Sequence, residues 1–349
     1  MHENQTASAS QPLKIAVLHG GPSSEHAISI WSSTGVIATL RSAGHEVHPV
    51  FVDREGLWHF GGESTGAGEK SNNPVSLWQA IAVLADIAPA VCFMGFHGTF
   101  GEDGKIQAAL EMMGLRFTGS GVTASAVAMD KPLARRVFAG VGIPVALARE
   151  VPCARLRDVT DARLVAEELS VALGLPVVVK VPAGGSSVGV EIPRTTGELT
   201  DSLQRLSAGE ATLLCEQFID GIELTAGVLA NHDGQLESLP IVEIAPVRAG
   251  FFDYAAKYEK GGSDEIVPAR ISAEATAQVQ ALGLAAHRAL GCRGVSRTDV
   301  ILRHDGMPFV LETNTLPGLT PASLLPKAAA GAGYSYLELL QRIVAAALD

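Results

Sequence analysis

A chain of 349 residues has room for two or three domains at the usual size of about 100 to 200 residues each. Its hydrophobic content of 47% and charged content of 18% are those of an ordinary globular protein. The formal net charge of -11 argues against a nucleic-acid partner, because binding to phosphate backbones needs a surplus of Lys and Arg.

The sequence predicts a cytoplasmic protein. Residues 1–12 are polar, without the basic and then apolar order of a signal peptide, and are expected to form a disordered tail. No uninterrupted apolar run reaches membrane-spanning length, so no membrane partner is expected. The spacing of the four cysteines indicates neither a zinc site nor a disulfide scaffold, which fits a reducing compartment. They are Cys92, Cys153, Cys215 and Cys292.

Residues 13–125 are predicted to form a first α/β domain, because short apolar runs alternate with helical patterns. The predicted strands are 13–18, 46–52, 90–96 and 115–118, with a helix over 105–113. Such alternation predicts a parallel sheet covered on both faces, with ligands beyond the carboxyl ends of its strands. The turn at Gly20-Gly21 and the run from His97 to Gly104 stand at such ends. A dehydrogenase is not indicated, since no G-x-G-x-x-G follows the first strand.

Residues 126–215 are predicted to form a small α+β lobe. Asp130 precedes a helix that has Pro132 in its first turn, and a strand over 175–181 carries Lys180. The loop 183–189 contains only small residues, which lets backbone amides approach a bound anion. The bland alternatives are a structural ion pair for the lysine and a flexible turn for the loop.

The remaining residues, 216–349, are predicted to form a larger lobe. The segment 249–265 has aromatic residues without a clean period and is expected to be an active-site lid. Ser272 caps a helix that ends at Gly291. A hairpin follows, with strands over 297–302 and 309–314 joined through Asp305-Gly306.

The hairpin carries three oxygen-bearing side chains that can converge: Asp299 on one strand, and Glu312 and Asn314, two apart, on its partner. Hard oxygen ligands without Cys or His suit Mg²⁺. A solvated face of an edge hairpin is the alternative for such a short motif.

The order of these features along the chain is more informative than any one of them. A strand lysine, a small-residue loop, the acidic pair Glu216 and Glu223, and the acidic hairpin supply a phosphate cation, a phosphate cover, nucleotide contacts and a metal site in turn. Together they predict an ATP site made without a P-loop, because no G-x-x-x-x-G-K-[ST] occurs.

From about Leu13 to the C-terminus, the chain resembles the D-alanine:D-alanine ligase family of ATP-grasp enzymes. The resemblance rests on six separated motifs: the run from His19 to Glu25, the run from His97 to Gly104, Lys180 with the loop Gly185–Gly189, Tyr254-x-x-Lys257-Tyr258, Arg297-x-Asp299, and the run from Glu312 to Thr320 with Ser323-Leu324. It implies an N-terminal Rossmann-like parallel-sheet domain, followed by a two-lobed ATP-grasp α+β module. The implied reaction joins two D-alanines through a D-alanyl phosphate, for cell-wall precursor synthesis.

The resemblance also implies a role for each matching residue. Catalytic roles fall to Glu25, Ser186, Tyr258, Arg297, Gly318 and Lys257. Substrate contacts fall to His97, Ser323 and Leu324, and nucleotide contacts to Lys131, Lys180, Ser187, Glu216 and Glu223. Two Mg²⁺ or Mn²⁺ ions are expected on Asp299, Glu312 and Asn314. A homodimer is also expected.

Two alternatives remain open at this point. One is a relative that joins a different pair, such as a D-alanine:D-lactate ligase. The resemblance counts against it, because in that family a Tyr at the lid position of Tyr258 goes with an amine acceptor. The other is a catalytically dead nucleotide-binding regulator, which predicts the loss of at least one of Lys180, Arg297, Asp299, Glu312 and Asn314. All five are present.

Overall fold

The computed structural model describes residues 11–61, 66–182, 189–231, 233–246 and 263–348. Most of the predicted tail and lid, together with Ser186, Ser187, Lys257 and Tyr258, therefore lies outside the described residues. The described strands are β1 (Lys14–Gly20), β2 (Glu46–Val52), β3 (Trp58–Phe60), β4 (Val91–Met94), β5 (Ala148–Pro152), β6 (Val177–Lys180), β7 (Val190–Glu191), β8 (Thr212–Gln217), β9 (Gly221–Ala230), β10 (Leu236–Ser238), β11 (Val242–Pro246), β12 (Ser263–Ile266), β13 (Val295–Arg303) and β14 (Pro308–Asn314).

The described helices alternate with these strands in the first part of the chain and gather between and after them later. They are α1 (His26–Ser42), α2 (Leu77–Ile87), α3 (Lys105–Met112), α4 (Val122–Met129), α5 (Lys131–Gly140), α6 (Val159–Leu173), α7 (Thr196–Leu206), α8 (Ala273–Leu290), α9 (Leu324–Gly331) and α10 (Tyr336–Ala345). Among these helices, none combines the length and apolar character needed to span a bilayer.

The first sheet has the order β3-β2-β1-β4, in which β1 runs parallel to both β2 and β4. Alternate residues of β1 are buried on opposite faces: Ile15 packs with α1 and α10, whereas Leu18 packs with α2 and α3. This confirms the predicted parallel sheet covered on both faces. Two details differ, because β3 adds an antiparallel edge strand and the predicted strand 115–118 is reduced to one bridge between Cys92 and Phe117.

The second sheet is antiparallel, in the order β5-β8-β6-β7. Its inner face packs against α6 and α7 through a separate apolar cluster that includes Val165, Leu203 and Leu213. The outer end of β6 carries Lys180, which pairs in register with Leu214 of β8. This small sheet therefore presents a lysine at the point where the chain enters the loop after residue 182.

The third sheet has the order β12-β11-β9-β13-β14, with β10 paired to β9 at one end. Helix α8 covers one face, where Val279 and Ala286 pack with Leu224 and Val300. Helix α5 packs at the same cluster through Phe138, so it contacts the large sheet as well as leading into the small one. The predicted start of α8 at Ser272 and its stop at Gly291 are confirmed: Ser272 Oγ accepts the Ala275 N–H at 3.1 Å, and Gly291 is left-handed.

Arg293 joins the third sheet to the first. Its Nε and Nη2 donate to the carbonyls of Gly119 and Phe117 at 3.0 and 2.8 Å, and its backbone N–H donates to Ser120 Oγ at 3.2 Å. The guanidinium also lies over the Phe117 ring, 5.0 Å from the centroid. Arg293 thereby anchors the segment 117–120, which bridges to Cys92 of β4, to the chain just before β13.

Candidate active site

Four polar side chains share one face of the predicted hairpin. In the antiparallel pair of β13 and β14, Arg297 lies opposite Asn314, and Asp299 lies opposite Glu312. Residues two apart on a strand point to the same face, so all four project together. The other face is covered by α8, which leaves this group on the open side of the sheet. The register therefore places Asp299, Glu312 and Asn314 on one face of the hairpin.

An ion pair fixes two members of the group. Arg297 Nε donates to Asp299 Oδ1 at 2.9 Å, and its Nη2 donates to Oδ2 at 3.0 Å. Asp299 is 7% exposed, so the pair is largely shielded from water. Asn314 is fixed differently, since its Oδ1 accepts the Leu316 N–H at 2.9 Å. In the described ranges there is no group of three His, Cys, Asp or Glu residues that could hold a metal, and the predicted set has two carboxylates and one amide.

Helix α5 begins beside this group. Asp130 caps it by accepting the Leu133 N–H at 2.9 Å, and Pro132 stands in its first turn, as predicted. Lys131 Nζ lies 3.4 Å from Glu312 Oε2, and its backbone N–H donates to Pro182 O at 3.3 Å. The start of α5 therefore contacts both the acidic hairpin and the segment that leads into the small-residue loop.

One turn further along α5, Arg135 forms part of a buried ion cluster. Glu216 is 3% exposed, and its carboxylate lies between Arg135 Nη1 at 2.6 Å and Lys180 Nζ at 2.5 Å. Arg135 Nη2 also donates to Ala146 O. Lys131 and Arg135 are four residues apart on one helical face, which brings both predicted phosphate lysines into one contiguous region.

A second group lies where β4 ends, next to the start of α1. Glu25 is the residue before α1, and its N–H donates to Ser23 Oγ at 3.1 Å. Gly98 has φ +73°, and a Cβ there would lie 2.5 Å from Ser23 Oγ and 2.6 Å from Glu25 Oε2. Glu102 Oε1 accepts the Gly98 N–H at 2.9 Å and lies 3.5 Å from His97 Nδ1. Burial raises the pKa of Glu102, and the nearby Glu25 carboxylate raises it further.

The loop after β14 joins the two groups. Leu319 N–H donates to Ser32 Oγ of α1 at 3.3 Å, and Tyr336 Oη donates to Leu319 O at 2.6 Å. Gly318 lies against Ser323, with 2.8 Å between an added Cβ and Ser323 Oγ. Ser323 Oγ accepts the Thr320 N–H at 3.1 Å, and Leu324 packs on the core shared with the first sheet.

The structure therefore brings most of the described site residues into two neighbouring groups. Glu223 lies on β9, paired in register with Ile301 of β13, and so shares the open face with Asp299. Two residues that the sequence interpretation passed over are Arg135 and Glu102. The first has a usable signal, because it follows Lys131 by one helical turn. The second stands within the motif from His97 to Gly104 but received no role.

Two family models match the chain in succession. The model described as "D-ala D-ala ligase N-terminus" matches residues 14–120, and the one described as "D-ala D-ala ligase C-terminus" matches residues 137–345. The chain is 41% identical to a D-alanine--D-alanine ligase of Leptospira interrogans, over 95% of this chain and 97% of that protein. It is also 41% identical to the enzyme of the same name from Gluconobacter oxydans, over 96% of this chain and 99% of the other.

Solved structures match over nearly the full chain as well. The D-alanine-D-alanine ligase from Coxiella burnetii superposes with a TM-score of 0.79 at 26% identity, covering 97% of this chain and 95% of that one. The Bacillus anthracis ligase complexed with ATP superposes with a TM-score of 0.74 at 32% identity, covering 97% and 98%. These matches show that the chain has the ATP-grasp fold. The chain belongs to the D-alanine--D-alanine ligase family.

Proposed function

We propose that this protein joins two D-alanines into D-alanyl-D-alanine at the expense of ATP, for peptidoglycan precursor synthesis in the cytoplasm. ATP transfers its γ-phosphoryl group to the carboxylate of the first D-alanine. The amine of the second then attacks the acyl phosphate, and the tetrahedral intermediate expels phosphate. The observation that carries the proposal is the open polar face of the hairpin, on which Arg297, Asp299, Glu312 and Asn314 project together beside Lys131.

The nucleotide contacts are proposed from the cluster between the two later sheets. Lys131 and Lys180 are the cations for the phosphates, because Lys131 contacts Pro182 and Lys180 ends β6, both just before the loop 183–189 that we propose covers the phosphates. Glu223 is proposed to contact the adenosine. Glu216 was assigned the same role on resemblance, but its carboxylate already accepts from Lys180 and Arg135, so we propose that it also orients Lys180.

The hairpin oxygens fit a hard divalent cation. Asp299 and Glu312 are directly opposite in register, Asn314 adds an amide oxygen on the same face, and no sulfur or imidazole intervenes. Asp299, Glu312 and Asn314 would hold two Mg²⁺ or Mn²⁺ ions, whose chemistry is to offset the charge on the β- and γ-phosphates. In the described structure Asp299 pairs with Arg297 and Glu312 pairs with Lys131, and we propose that the phosphates take over Lys131 when nucleotide binds.

The substrate contacts are proposed from the second group. Glu25 pairs with the ammonium of the first D-alanine, and His97 lies beside it. Arg297 and the Gly318 N–H form the oxyanion hole for the tetrahedral intermediate, with Lys257 assisting phosphoryl transfer. Ser323 and Leu324 shape the second D-alanine site. Ser186 and Tyr258 are proposed to link the lid to Glu25, and Ser187 to contact the phosphates.

We also propose that the chain is divided into three domains, at 13–125, 126–215 and 216–349. The assembly is proposed to be a homodimer.

The test of the reaction is phosphate release from ATP and Mg²⁺, with the product identified by mass. The purified protein receives no addition, D-alanine, L-alanine, or D-alanine with D-lactate. We expect release with D-alanine alone and the dipeptide as product, including when D-lactate is present. A depsipeptide product would instead favour a D-alanine:D-lactate ligase, and ATP binding without release would favour a nucleotide-binding regulator.

The test of Arg297 uses a second arginine of the same strand as its control. Arg297 and Arg303 each pair with an aspartate two residues on, but the Arg303–Asp305 pair lies at the exposed hairpin turn. Arg297→Ala is expected to lower kcat by about 100-fold or more, since one oxyanion donor is lost. Arg303→Ala is expected to leave kcat within about twofold. Equal losses in both variants, or loss of folded content by circular dichroism in Arg297→Ala, would remove the catalytic role.

A further inference from the structure

His97 has a buried ring nitrogen that nothing in the described part of the chain satisfies. The side chain is 6% exposed, and Nε2 has no hydrogen-bond partner among the described residues. Buried polar atoms in proteins are nearly always paired, so an unpaired one calls for a partner such as a water molecule, an ion or a ligand group. Here the atom lies beside Glu25 and Glu102, in the group proposed to contact the first substrate. What this nitrogen can accept or donate depends on the other ring nitrogen.

The position of Glu102 bears on which ring nitrogen of His97 carries the hydrogen. Its Oε1, which faces His97 Nδ1 at 3.5 Å, already accepts the Gly98 N–H at 2.9 Å. An unprotonated Oε1 that accepts one N–H has a second lone pair for another donor, even when the other carboxyl oxygen carries a proton. With Oε1 as the acceptor, the hydrogen of the neutral His97 ring lies on Nδ1. In the neutral ring this leaves Nε2 with a lone pair and no hydrogen.

The surrounding charges indicate which group meets this lone pair. Gly98, next to His97, is in contact with the Glu25 carboxylate, since a Cβ there would lie 2.6 Å from Glu25 Oε2. Glu25 and Glu102 are close enough for the charge of one to raise the pKa of the other. A lone pair beside two carboxyl groups suits a ligand that donates several hydrogens and carries a positive charge. An amino-acid ammonium, with three N–H donors, has this chemistry.

We propose that Glu102 is a positioning residue, which holds His97 in the Nδ1–H tautomer so that Nε2 accepts a hydrogen bond from the ammonium of the first D-alanine. The inference rests on the proposed function, because it takes D-alanine as the ligand. Glu102 acts through His97 and Gly98 and does not itself need to touch the substrate. On this proposal, the site requires an oxygen acceptor at position 102 and does not require a negative charge there.

The variants that test this differ in what they keep. Glu102→Gln keeps an oxygen acceptor for Gly98 N–H and His97 Nδ1, whereas Glu102→Leu has a similar volume and no acceptor. Asp103→Asn is the control, since Asp103 is the next residue and also accepts a backbone N–H, from Phe100 at 2.9 Å. Thermal unfolding of all three establishes that they are folded before any comparison is made.

The first readout needs no substrate. In ¹⁵N spectra of the ligand-free protein, we expect His97 Nε2 to be unprotonated and Nδ1 protonated in the natural protein, Glu102→Gln and Asp103→Asn. In Glu102→Leu we expect a mixture of tautomers. A protonated Nε2 in the natural protein, or an unchanged spectrum in Glu102→Leu, would overturn the proposal.

The second readout isolates the first substrate. Hydroxylamine replaces the second D-alanine as acceptor, so that the acyl phosphate yields D-alanyl hydroxamate and phosphate. Glu102→Leu is expected to raise the KM for D-alanine about tenfold, the effect of one lost hydrogen bond to a charged group, with the KM for ATP unchanged. Glu102→Gln and Asp103→Asn should stay within about threefold. No hydroxamate from the natural protein would contradict the proposed function, whereas hydroxamate with an unchanged KM in Glu102→Leu would contradict only this inference.

Discussion

Arg135 and Arg136 are consecutive residues of α5 whose carboxylate partners differ in burial. Arg135 pairs with the buried Glu216 at 2.6 Å and also donates to Ala146 O. Arg136 pairs with the exposed Glu150. Removing one partner of a buried ion pair leaves an uncompensated charge, whereas an exposed pair is already solvated by water. Comparing substitutions at the two positions therefore shows how much the burial of an ion pair, rather than its charge alone, affects stability.

The prediction at this scale is a difference in stability between the two truncations. Arg135→Ala is expected to lower the free energy of unfolding by about 3 kcal/mol, because Glu216 and Ala146 O both lose a donor and, among the described residues, Lys180 alone still pairs with Glu216. Arg136→Ala is expected to change it by less than about 1 kcal/mol. Urea unfolding followed by circular dichroism measures both. Equal losses would mean that helix propensity, and not the buried pair, sets the effect.

At the scale of elements, local signals explain what the sequence predicted correctly. Ser272 and Gly291 bound α8 through their own hydrogen bond and backbone conformation, and alternation placed Asp299 and Glu312 on one face of the hairpin. These features depend on neighbours a few residues away. The alternation of strand and helix patterns also predicted both covered faces of the first sheet, and β1 agrees, because it is apolar at consecutive positions and buried on both sides.

The features that the sequence did not predict depend on distant residues. The ion pairs Arg135–Glu216 and Lys131–Glu312 each join residues from different parts of the chain, and no spacing rule reports such contacts. The antiparallel edge strand β3 was missed because its three residues are too short for a period-2 pattern. The resemblance supplied the candidate residues, and only the coordinates supplied their partners.

Helix α8 offers a prediction about element packing. Gly283 faces β9 so closely that an added Cβ would lie 2.7 Å from Ala226 Cβ. Leu is a better helix former than Gly by up to about 1 kcal/mol, so a purely helical effect of Gly283→Leu would be stabilising. We expect a loss of about 2 kcal/mol, because the larger side chain separates the helix from the strand.

The control for Gly283→Leu is Ala281→Leu, on the exposed side of the same helix. It should change the free energy of unfolding by less than about 0.5 kcal/mol. Thermal unfolding of both variants makes the comparison. A more stable Gly283→Leu protein would mean that α8 can move away from β9 without cost, and that the back of the large sheet is less tightly packed than its distances indicate.

At the scale of the whole molecule, two buried histidines make stability depend on pH. Burial lowers the pKa of His19 to about 4, and its Nε2 accepts the Gly68 N–H at 2.9 Å, which requires the neutral ring. Burial, followed by the charge of Arg288, lowers the pKa of His287 to about 4. His19 lies in the first sheet and His287 lies in α8, which covers the third sheet. Protonation at low pH therefore destabilises the packing at both sheets.

The direction in which stability changes with pH follows from the pH at which the unfolded and the folded state each bind the proton. An unfolded histidine binds a proton near pH 6.5, while the folded protein resists it until about pH 4. The folded state is therefore favoured fully above about pH 6.5, and each residue's contribution is lost as the pH falls from there to about 4. Between pH 7 and pH 5 the loss is about 2 kcal/mol for each histidine.

Replacing one of these histidines tests the argument on the intact chain. His287→Gln cannot bind a proton, so the decrease in the free energy of unfolding between pH 7 and pH 5 should be smaller than in the natural protein by about 2 kcal/mol. The comparison is of pH dependence, which separates it from any loss of packing in the variant. His304→Gln is the matched control, since it makes the same substitution at an exposed position. Urea unfolding at pH 7 and 5 measures all three proteins. An unchanged pH dependence in His287→Gln would mean that a buried charge at position 287 is tolerated, and that acid destabilises this fold through its carboxylates instead.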